Sequence, residues 1–383
     1  MPPSVEPDMT LNLLGGLEPR AFLARYWQRR PLLVRGAVPG FRGAATKREL
    51  FAIAARDDAE ARLVTRTRRR WSLRHGPFRR GELAAMPSRD WTLLVQAVNE
   101  FVPAADALMR RFAFVPYARL DDVMASYAVP GGGVGPHFDS YDVFLLQGFG
   151  RRRWRISAQS DRTLDPRAPL RILARFRPEA EWILEPGDML YLPPGYAHDG
   201  VALEECTTWS IGFRAPSAAE LAREFLDFFA DRIDFRGRYE DRGLTPARHP
   251  AAIGDGMVDR VAAMLGRIAW KRSDIEHFLG EYLSEPKARV VFDPPTRPLS
   301  RAGFQAAVRR HGVVLDPRTL MLFRGPWLYV NGERQPMPSR ARRALIELCD
   351  RRVLPGASAC AAAVLPLLHV WYRAGYLHPA SPP

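Results

Sequence analysis

The sequence is poor in cysteine, with only Cys206, Cys349 and Cys360 among 383 residues. Their number is odd and no two have the Cys-x-x-Cys spacing, so neither a disulfide framework nor a cysteine-built zinc site is indicated. Long apolar runs are also lacking, since no stretch approaches the roughly 20 apolar residues that span a bilayer. The opening segment, MPPSVEPDMT, has no basic head followed by an apolar run. A cytoplasmic protein without membrane association is therefore expected.

Lysine is almost absent, with three residues in the chain, so arginine supplies most of the 56 basic side chains that oppose 42 acidic ones. The excess positive charge lies at the ends. Residues 1–100 hold 18 basic and 10 acidic residues and residues 301–383 hold 12 and 4, whereas residues 201–300 hold 14 and 16. This distribution suits a protein that meets nucleic acid or a ribonucleoprotein and receives a cationic group centrally. Composition alone, however, favours arginines that are merely solvated.

Short apolar runs broken by Gly and Pro between residues 120 and 214 predict antiparallel strands. The runs are VMASYAV, YDVFLLQG, RRRWRI, EWILEP, DMLYLPPG and TTWSIGF. Turns are indicated at Gly148 and Gly150, at Pro186-Gly187-Asp188 and at Pro193-Pro194-Gly195. Many short strands joined by such turns predict a β-barrel or a β-sandwich.

Beyond residue 216 the apolar period changes to about 3.6, which predicts helices. One helix begins at a capping box of Ser217 and Glu220, a second runs through residues 257–268, and a third follows a capping box of Ser273 and Glu276. The first helix presents Phe225, Phe228 and Phe229 on one side. We expect these apolar faces to form a homodimer interface, with packing on the barrel as the alternative.

The last 90 residues predict a small α+β module such as a winged helix. Helices are expected near residues 301–310, 339–349 and 360–374. Strands are expected through LMLF and WLYV, joined at Asn331-Gly332.

The segment PGGGVGPHFDSYDVFLLQG contains a candidate metal site. Alternate side chains of a strand share a face, so His137 and Asp139 can both reach one ion. His198 follows a Pro-Gly turn and can supply a third ligand once the barrel closes. Two histidines and one carboxylate leave three positions open, as in non-haem Fe(II) oxygenases. His-x-Asp alone is a weak signal and a zinc hydrolase could use similar ligands, but Zn²⁺ usually prefers four-coordinate closure.

The run Arg151-Arg152-Arg153-Trp154-Arg155-Ile156 predicts a strand with Arg152, Trp154 and Ile156 on its interior face. An arginine inside a barrel is costly unless it meets an anion, and its planar fork matches a carboxylate. The distal carboxylate of 2-oxoglutarate is such an anion. The alternative is that Arg152 forms an ion pair with Asp142 or Asp188.

The segments VPGGGVGPHFDSYDVFLLQGFGRRRWRI, EPGDMLYLPPGYAHDG and WSIGFRAP resemble those of the bacterial JmjC ribosomal oxygenases, as does RAFLARYWQRRPLLVRGA more weakly. The resemblance implies a mixed β and α protein: a double-stranded β-helix (JmjC/cupin-like) barrel over residues 1–215, a helical dimerisation region over 216–290 and a winged-helix-like domain over 291–383.

The same resemblance implies His137, Asp139 and His198 as ligands of Fe(II), and Arg152 as the 2-oxoglutarate residue, with Ser210 facing the same pocket. O₂ would be the second cosubstrate. The implied reaction is hydroxylation of an arginine of a large-subunit ribosomal protein, L-sixteen. Relatives often carry Glu after the third ligand, where this chain has Asp199.

Other functions remain open on the sequence. A JmjC oxygenase could act on another protein residue, as a histidyl hydroxylase or a lysine demethylase. A non-oxidative cupin would turn over without O₂ or 2-oxoglutarate. A DNA-binding regulator would use the C-terminal module, but no recognition-helix pattern is decisive there, so direct nucleic-acid binding is not expected.

Overall fold

The computed structural model describes residues 12–68, 70–233 and 236–380. The described chain divides into two compact units. The first contains residues 12–215, 286–319 and 340–380, and the second contains residues 216–285 and 320–339. Within the described residues, no helix is long and apolar enough to cross a lipid bilayer.

An eight-stranded antiparallel sheet dominates the first unit. With strands numbered along the chain, its spatial order is β1 (Leu32–Val34), β10 (Met189–Leu192), β7 (Val143–Gln147), β12 (Cys206–Phe213), β5 (Leu120–Ala128), β4 (Trp91–Val95), β2 (Ala61–Thr67) and β3 (Arg70–His75). A four-stranded sheet has the order β6 (His137–Phe138), β11 (Ala197–Ala202), β8 (Arg152–Ser157) and β9 (Ala180–Leu184).

The two sheets enclose a shared interior. One buried cluster joins side chains of both sheets: Val143, Leu145, Leu190 and Leu192 from the large sheet with Trp154, Ile156 and Leu184 from the small one. Residues that alternate with these point to the opposite faces, as the pleat of a strand requires. The predicted double-stranded β-helix barrel is therefore confirmed.

Helices and a larger apolar core cover the outer face of the eight-stranded sheet. The helices of this part are α1 (Pro19–Arg25), α2 (Lys47–Ile53), α3 (Arg80–Ala84) and α4 (Pro103–Arg110), with short 3-10 turns at Val98–Glu100 and Tyr117–Arg119. Phe22, Leu50 and Leu108 from these helices share a buried cluster with Val123 and Trp209 of the sheet. Over the last six residues of β5 the core therefore takes Val123, Ala125 and Tyr127, and the residues that alternate with them face the barrel interior.

The six predicted apolar runs correspond to β5, β7, β8, β9, β10 and β12. The prediction missed β11, although this strand carries His198. Its sequence, AHDGVA, has little β propensity, and pairing with β6 on one side and β8 on the other determines its conformation instead. The N-terminal strands β1 to β4 were also missed. Strands β2 and β3 are rich in arginine, whereas β1 and β4 are short apolar segments outside the region in which strands were predicted.

The remaining part of the first unit combines a three-stranded sheet with four helices. The strands are β17 (Val353–Leu354), β13 (Val313–Leu315) and β18 (Leu377–Pro379), and the helices are α8 (Arg301–His311), α9 (Arg342–Arg351), α10 (Gly356–Ala359) and α11 (Leu365–Arg373). The three helices predicted here are thus present, each with slightly different bounds.

The second unit contains three helices and a three-stranded sheet: α5 (Ala218–Ala230), α6 (Asp255–Leu265), α7 (Arg272–Ser284), β14 (Met321–Arg324), β15 (Trp327–Val330) and β16 (Glu333–Pro336). The capping box of Ser217 and Glu220 is confirmed. The box predicted at Ser273 and Glu276 is wrong, because the helix begins earlier and Asp274 accepts the backbone N–H of Lys271 at 2.6 Å.

The predicted turn at Asn331-Gly332 is also misplaced. It joins β15 to β16, whereas β14 and β15 are joined two residues after Phe323, through Gly325. Both Asn331 and Gly332 have positive φ, as the favoured two-residue hairpin turn requires. A third strand, ERQP, was missed because it is polar and short.

The predicted boundaries at residues 215/216 and 290/291 stay a prediction. One unit boundary falls at 215/216, but residues 320–339 group with the helices rather than with the rest of the C-terminal segment. Compactness alone does not decide which segments fold independently.

We predict that Gly200→Ala destabilises the barrel by about 1–3 kcal/mol, because overpacking forces neighbours to move. A Cβ at Gly200 would lie 2.7 Å from the ring of Trp154, its cross-strand partner. Gly212→Ala is the matched control, since a Cβ there meets nothing closer than 3.9 Å. Urea unfolding measures both, and an equal loss of stability in the two variants would contradict the prediction.

Candidate active site

The three predicted metal ligands converge at one end of the small sheet. His137 on β6 lies directly opposite His198 on β11, and their ring centroids are 4.2 Å apart. Asp139 follows β6, and its Oδ2 lies 3.6 Å from His198 Nε2. One ligand atom from each residue can be chosen so that all lie within 4.8 Å of one another. The spacing His137-x-Asp139 with a distant third residue thus corresponds to a real cluster, whose role as a metal site remains a prediction.

Both histidines have a fixed orientation. Nδ1 of His137 donates to the carbonyl of Gly135 at 2.9 Å, and Nδ1 of His198 donates to the carbonyl of Tyr196 at 3.0 Å. Since a carbonyl can only accept, each ring carries its proton on Nδ1 and keeps the Nε2 lone pair free. Neutral imidazoles with a free nitrogen are the form that binds transition metals.

Burial keeps His198 neutral. Desolvation, and then the neighbouring His137 ring, lower its pKa to about 4. The contact between His198 and Asp139 is therefore not an ion pair at neutral pH. The Asp139 carboxylate is 23% exposed and His198 only 3%, so the cluster is closed on the side of the small sheet and open on the side of Asp139.

Backbone contacts hold the loop that precedes the third ligand. The N–H of Gly195 donates to the carbonyl of Asp139 at 2.7 Å. Gly195 has φ +78°, a conformation that glycine adopts without strain. The Pro-Pro-Gly turn is thus attached to the segment that carries the first two ligands, which brings His198 back toward them.

Arg152 occupies the barrel interior, as the strand pattern predicts. Burial along β8 alternates, with Arg152, Trp154 and Ile156 buried and Arg153 and Arg155 only partly so. His198 pairs with Ile156, and Ala202 pairs with Arg152, so paired side chains of β8 and β11 share this face. Arg152 is therefore on the same side of the small sheet as the histidines.

Arg152 is 4% exposed, and the hydrogen-bond donors of its guanidinium are only partly satisfied. Nη1 donates to Ser126 Oγ at 3.0 Å, whereas Nε and Nη2 are buried and have no partner among the described residues. A buried cation with two unused donors is unfavourable unless an anion binds it. Carboxylate oxygens match these donors in geometry and charge.

The alternative partners of Arg152 are engaged elsewhere. Asp142 accepts from Tyr191 Oη at 2.6 Å and from Gln28 Nε2 at 3.0 Å. Asp188 accepts from Arg35 Nη1 at 2.6 Å. The ion pair with Asp142 or Asp188 that the sequence left open is therefore absent from the described structure.

Ser126 is a site residue that the sequence did not reveal. It lies on the interior face of β5. The only indication of this in the sequence is that it alternates with the core residues Val123, Ala125 and Tyr127. Ser210 also lies on the interior face of the large sheet, opposite Met124 of β5 and Leu145 of β7. It is buried, but its predicted place in the cosubstrate pocket stays a prediction.

Asp199 points to the opposite face from His198. Its Oδ2 accepts from Arg155 Nη2 at 2.5 Å, and Asp199 and Arg155 are cross-strand partners on β11 and β8. This ion pair stabilises β11, the strand that carries His198, on the face opposite the candidate metal site. Asp199, where relatives often carry Glu, thus pairs with the neighbouring strand and stabilises β11.

Comparisons with known proteins show which family the chain belongs to. Residues 107–221 match the family model of the JmjC domain, and residues 267–378 match that of the ROXA-like winged helix. The ribosomal protein uL16 3-hydroxylase of Escherichia coli is 36% identical over 321 residues, which cover 83% of this chain and 86% of that protein. The chain belongs to the JmjC ribosomal oxygenase family.

Further relatives agree with membership of the JmjC ribosomal oxygenases. A probable ribosomal oxygenase of Haemophilus influenzae is 36% identical over 212 residues, covering 54% of this chain and 52% of that one. The structure of YcfD, a ribosomal oxygenase from Escherichia coli, in complex with cobalt and 2-oxoglutarate matches with a TM-score of 0.80 at 34% identity. That match covers 94% of this chain and 98% of YcfD. The predicted family and its winged helix are thereby confirmed.

The first site prediction concerns the candidate ligands. Replacing His137, Asp139 or His198 with Ala should reduce metal affinity and turnover by more than about a hundredfold, beyond the loss typical of residues that only orient a ligand. Calorimetric titration with Co²⁺ and a circular dichroism spectrum separate lost binding from unfolding. The exposed His249 supplies the control, His249→Ala. A variant that keeps normal metal affinity would remove its residue from the triad.

The second site prediction concerns Arg152. Arg152→Ala should lose about 3 kcal/mol of binding to 2-oxoglutarate and raise its KM about a hundredfold, because a buried charge-assisted contact is removed. Metal affinity should not change. Arg151→Ala and Arg153→Ala are the controls, since their side chains alternate with Arg152 and Arg151 is paired with Glu204 at the surface. If a control raises the KM and Arg152→Ala does not, the anion site is misassigned.

Proposed function

We propose that this chain is an Fe(II)- and 2-oxoglutarate-dependent protein hydroxylase that acts on an arginine of the large-subunit ribosomal protein uL16. The observation that carries the proposal is the buried Arg152, with two unused donors, on the same barrel face as His137 and His198. Many cupins have a metal cluster of this kind. A buried arginine with unused donors beside the cluster also matches one carboxylate of a dicarboxylate cosubstrate. The names of the relatives reported above support the same activity.

Each residue has a defined task in this proposal. His137, Asp139 and His198 would hold the iron through two nitrogens and one carboxylate, leaving positions for the keto acid and for O₂. Iron supplies the activation of O₂, which is coupled to decarboxylation of 2-oxoglutarate to succinate and CO₂. Arg152, held by Ser126, would bind the distal carboxylate and thus fix the keto end toward the metal.

Carboxylates near the candidate metal site favour a cationic target side chain. Burial raises the pKa of Tyr141, and the carboxylates of Asp139 and Asp122 raise it further, so both carboxylates act on this phenol. Asp122 and its neighbour Asp121 already hold a cation, since Lys287 Nζ lies 2.6 Å and 3.1 Å from them. The pairing of these carboxylates with Lys287 supports the binding of a cationic side chain in this part of the protein.

The test is direct incubation of the protein with Fe(II), 2-oxoglutarate and purified uL16. Mass spectrometry of proteolytic fragments should find one added oxygen atom on an arginine, and the modification should require both 2-oxoglutarate and O₂. Release of formaldehyde from a methylated lysine peptide would instead identify a demethylase. Oxygen on a histidine would identify a histidyl hydroxylase, and turnover without O₂ would identify a non-oxidative cupin. Since the proposed target is a ribosomal protein, the reaction would take place in the cytoplasm.

Homodimerisation is part of the proposal, although its predicted surface changes. Phe225, Phe228 and Phe229 pack against other aromatic rings of the second unit, with Phe225 and Phe278 centroids 5.5 Å apart. Helix α6, in contrast, buries no residue and exposes a stripe of apolar side chains: Met257, Val258, Val261 and Leu265. An apolar stripe of this kind is typical of a subunit interface.

Val258→Asp should therefore shift the protein from dimer to monomer at micromolar concentration, because a carboxylate would be buried at the interface. Ala263→Asp places the same charge on the opposite side of α6 and is the matched control. Light scattering distinguishes the species. A monomeric wild type, or equal dissociation of both variants, would refute the assigned surface.

A further inference from the structure

The hairpin of β2 and β3 carries a concentration of positive charge that the proposed hydroxylation does not explain. Residues 61–80 contain eight arginines and no acidic residue. Strand β3 is the edge of the eight-stranded sheet, so the hairpin borders solvent. A cluster of like charges opposes folding unless a counter-ion or partner compensates it.

Several of these arginines lack an ion-pair partner among the described residues. Arg74 pairs with Glu82, but the exposed Arg68, Arg70 and Arg79 form no ion pair with any described residue. The guanidinium of Arg66 is also exposed and lies 5.2 Å from the ring centroid of Trp71. The surface thus offers several guanidinium groups without an ion-pair partner among the described residues, and one partly exposed aromatic ring.

This hairpin is adjacent to the candidate metal site. A Cβ at Gly135 would lie 3.1 Å from Trp71 and 3.0 Å from Ile172, so both side chains flank Gly135. The carbonyl of the same Gly135 accepts the Nδ1 proton of His137. Anything bound along Trp71 would therefore lie next to the segment that carries the first ligand.

The loop on the other side of Gly135 is basic as well. Ile172 and Leu173 are buried, and the N–H of Leu173 donates to the carbonyl of Pro136 at 2.8 Å, which fixes the loop against the segment of the first ligand. Its exposed arginines include Arg162 and Arg171, neither of which forms an ion pair within the part of the chain described. Two basic surfaces thus border the segment that carries the first candidate ligand.

We propose that the β2–β3 hairpin binds the phosphate backbone of RNA beside the arginine to be hydroxylated. The inference rests on the proposed function and names the form of its substrate: a ribosomal protein presented on ribosomal RNA. Ribosomal proteins are basic, so this surface would add nothing to the binding of free uL16 at the candidate metal site, whereas the phosphates of RNA would bind the arginine side chains. Trp71, with Arg66 over its ring, offers a stacking platform for an unpaired base, which an acidic protein surface would not use.

The experiment measures binding of a fluorescein-labelled single-stranded RNA of mixed sequence by fluorescence anisotropy over a range of salt concentrations. The test variant is Arg66→Gln/Arg68→Gln/Arg70→Gln. The control is Arg301→Gln/Arg309→Gln/Arg310→Gln, which removes the same charge from exposed positions of α8. The hairpin variant should bind at least about tenfold more weakly, and its salt slope should fall by about 2, since each phosphate contact contributes about 0.7 on a single strand. The control should resemble the wild type.

Three results would overturn the inference. Equal losses in both variants would mean that only net charge matters, and no loss in either would exclude the hairpin. Displacement of RNA by polyglutamate of equal charge would indicate an acidic protein as the partner. Hydroxylation of RNA-free uL16 by the wild type, measured in parallel, reports on the proposed function alone, so a failure there is distinguishable from a failure of RNA binding.

Discussion

The antiparallel register of β11 is the constraint on which the candidate site depends. His198 is paired with His137 on one side and with Ile156 on the other, so a single strand aligns the histidine cluster with the face that carries Arg152. A slip of one residue would turn His198 outward and bring Asp199 into the barrel. The buried contact of Gly200 with the Trp154 ring and the ion pair of Asp199 with Arg155 both oppose such a slip.

Alternation along β8 gives neighbouring arginines opposite roles. Arg155 points outward and is neutralised by a carboxylate of the adjacent strand, which stabilises the sheet. Arg152 points inward, donates one hydrogen bond to Ser126 and lies 5.9 Å from the ring centroid of Trp154. Its Nε and Nη2 have no partner among the described residues, so part of its desolvation cost is left uncompensated. An anion that enters the barrel recovers this cost, which is the physical reason that a dicarboxylate fits the interior.

The sequence predicted those parts of the site that depend on local periodicity. Strand alternation correctly predicted burial of Arg152, Trp154 and Ile156, and the Pro-Gly turn indicated that His198 returns toward His137. The partners of Arg152 were not predictable, because they depend on distant segments: Tyr191 and the N-terminal Gln28 and Arg35 occupy the carboxylates that could have paired with it. Strand β11 was missed for a similar reason, since its conformation comes from two neighbours rather than from its own residues.

Each candidate histidine takes its orientation from the carbonyl two residues before it in the chain, Gly135 for His137 and Tyr196 for His198. The protonation pattern of the site is therefore encoded in two tripeptides and needs no distant carboxylate to select the tautomer. Side chains elsewhere in the barrel can then diverge, to admit a different protein substrate, without altering the nitrogen that each imidazole offers. In a site of this kind, the residues that determine substrate specificity can change during evolution while the residues that determine the chemistry at the two histidines stay the same.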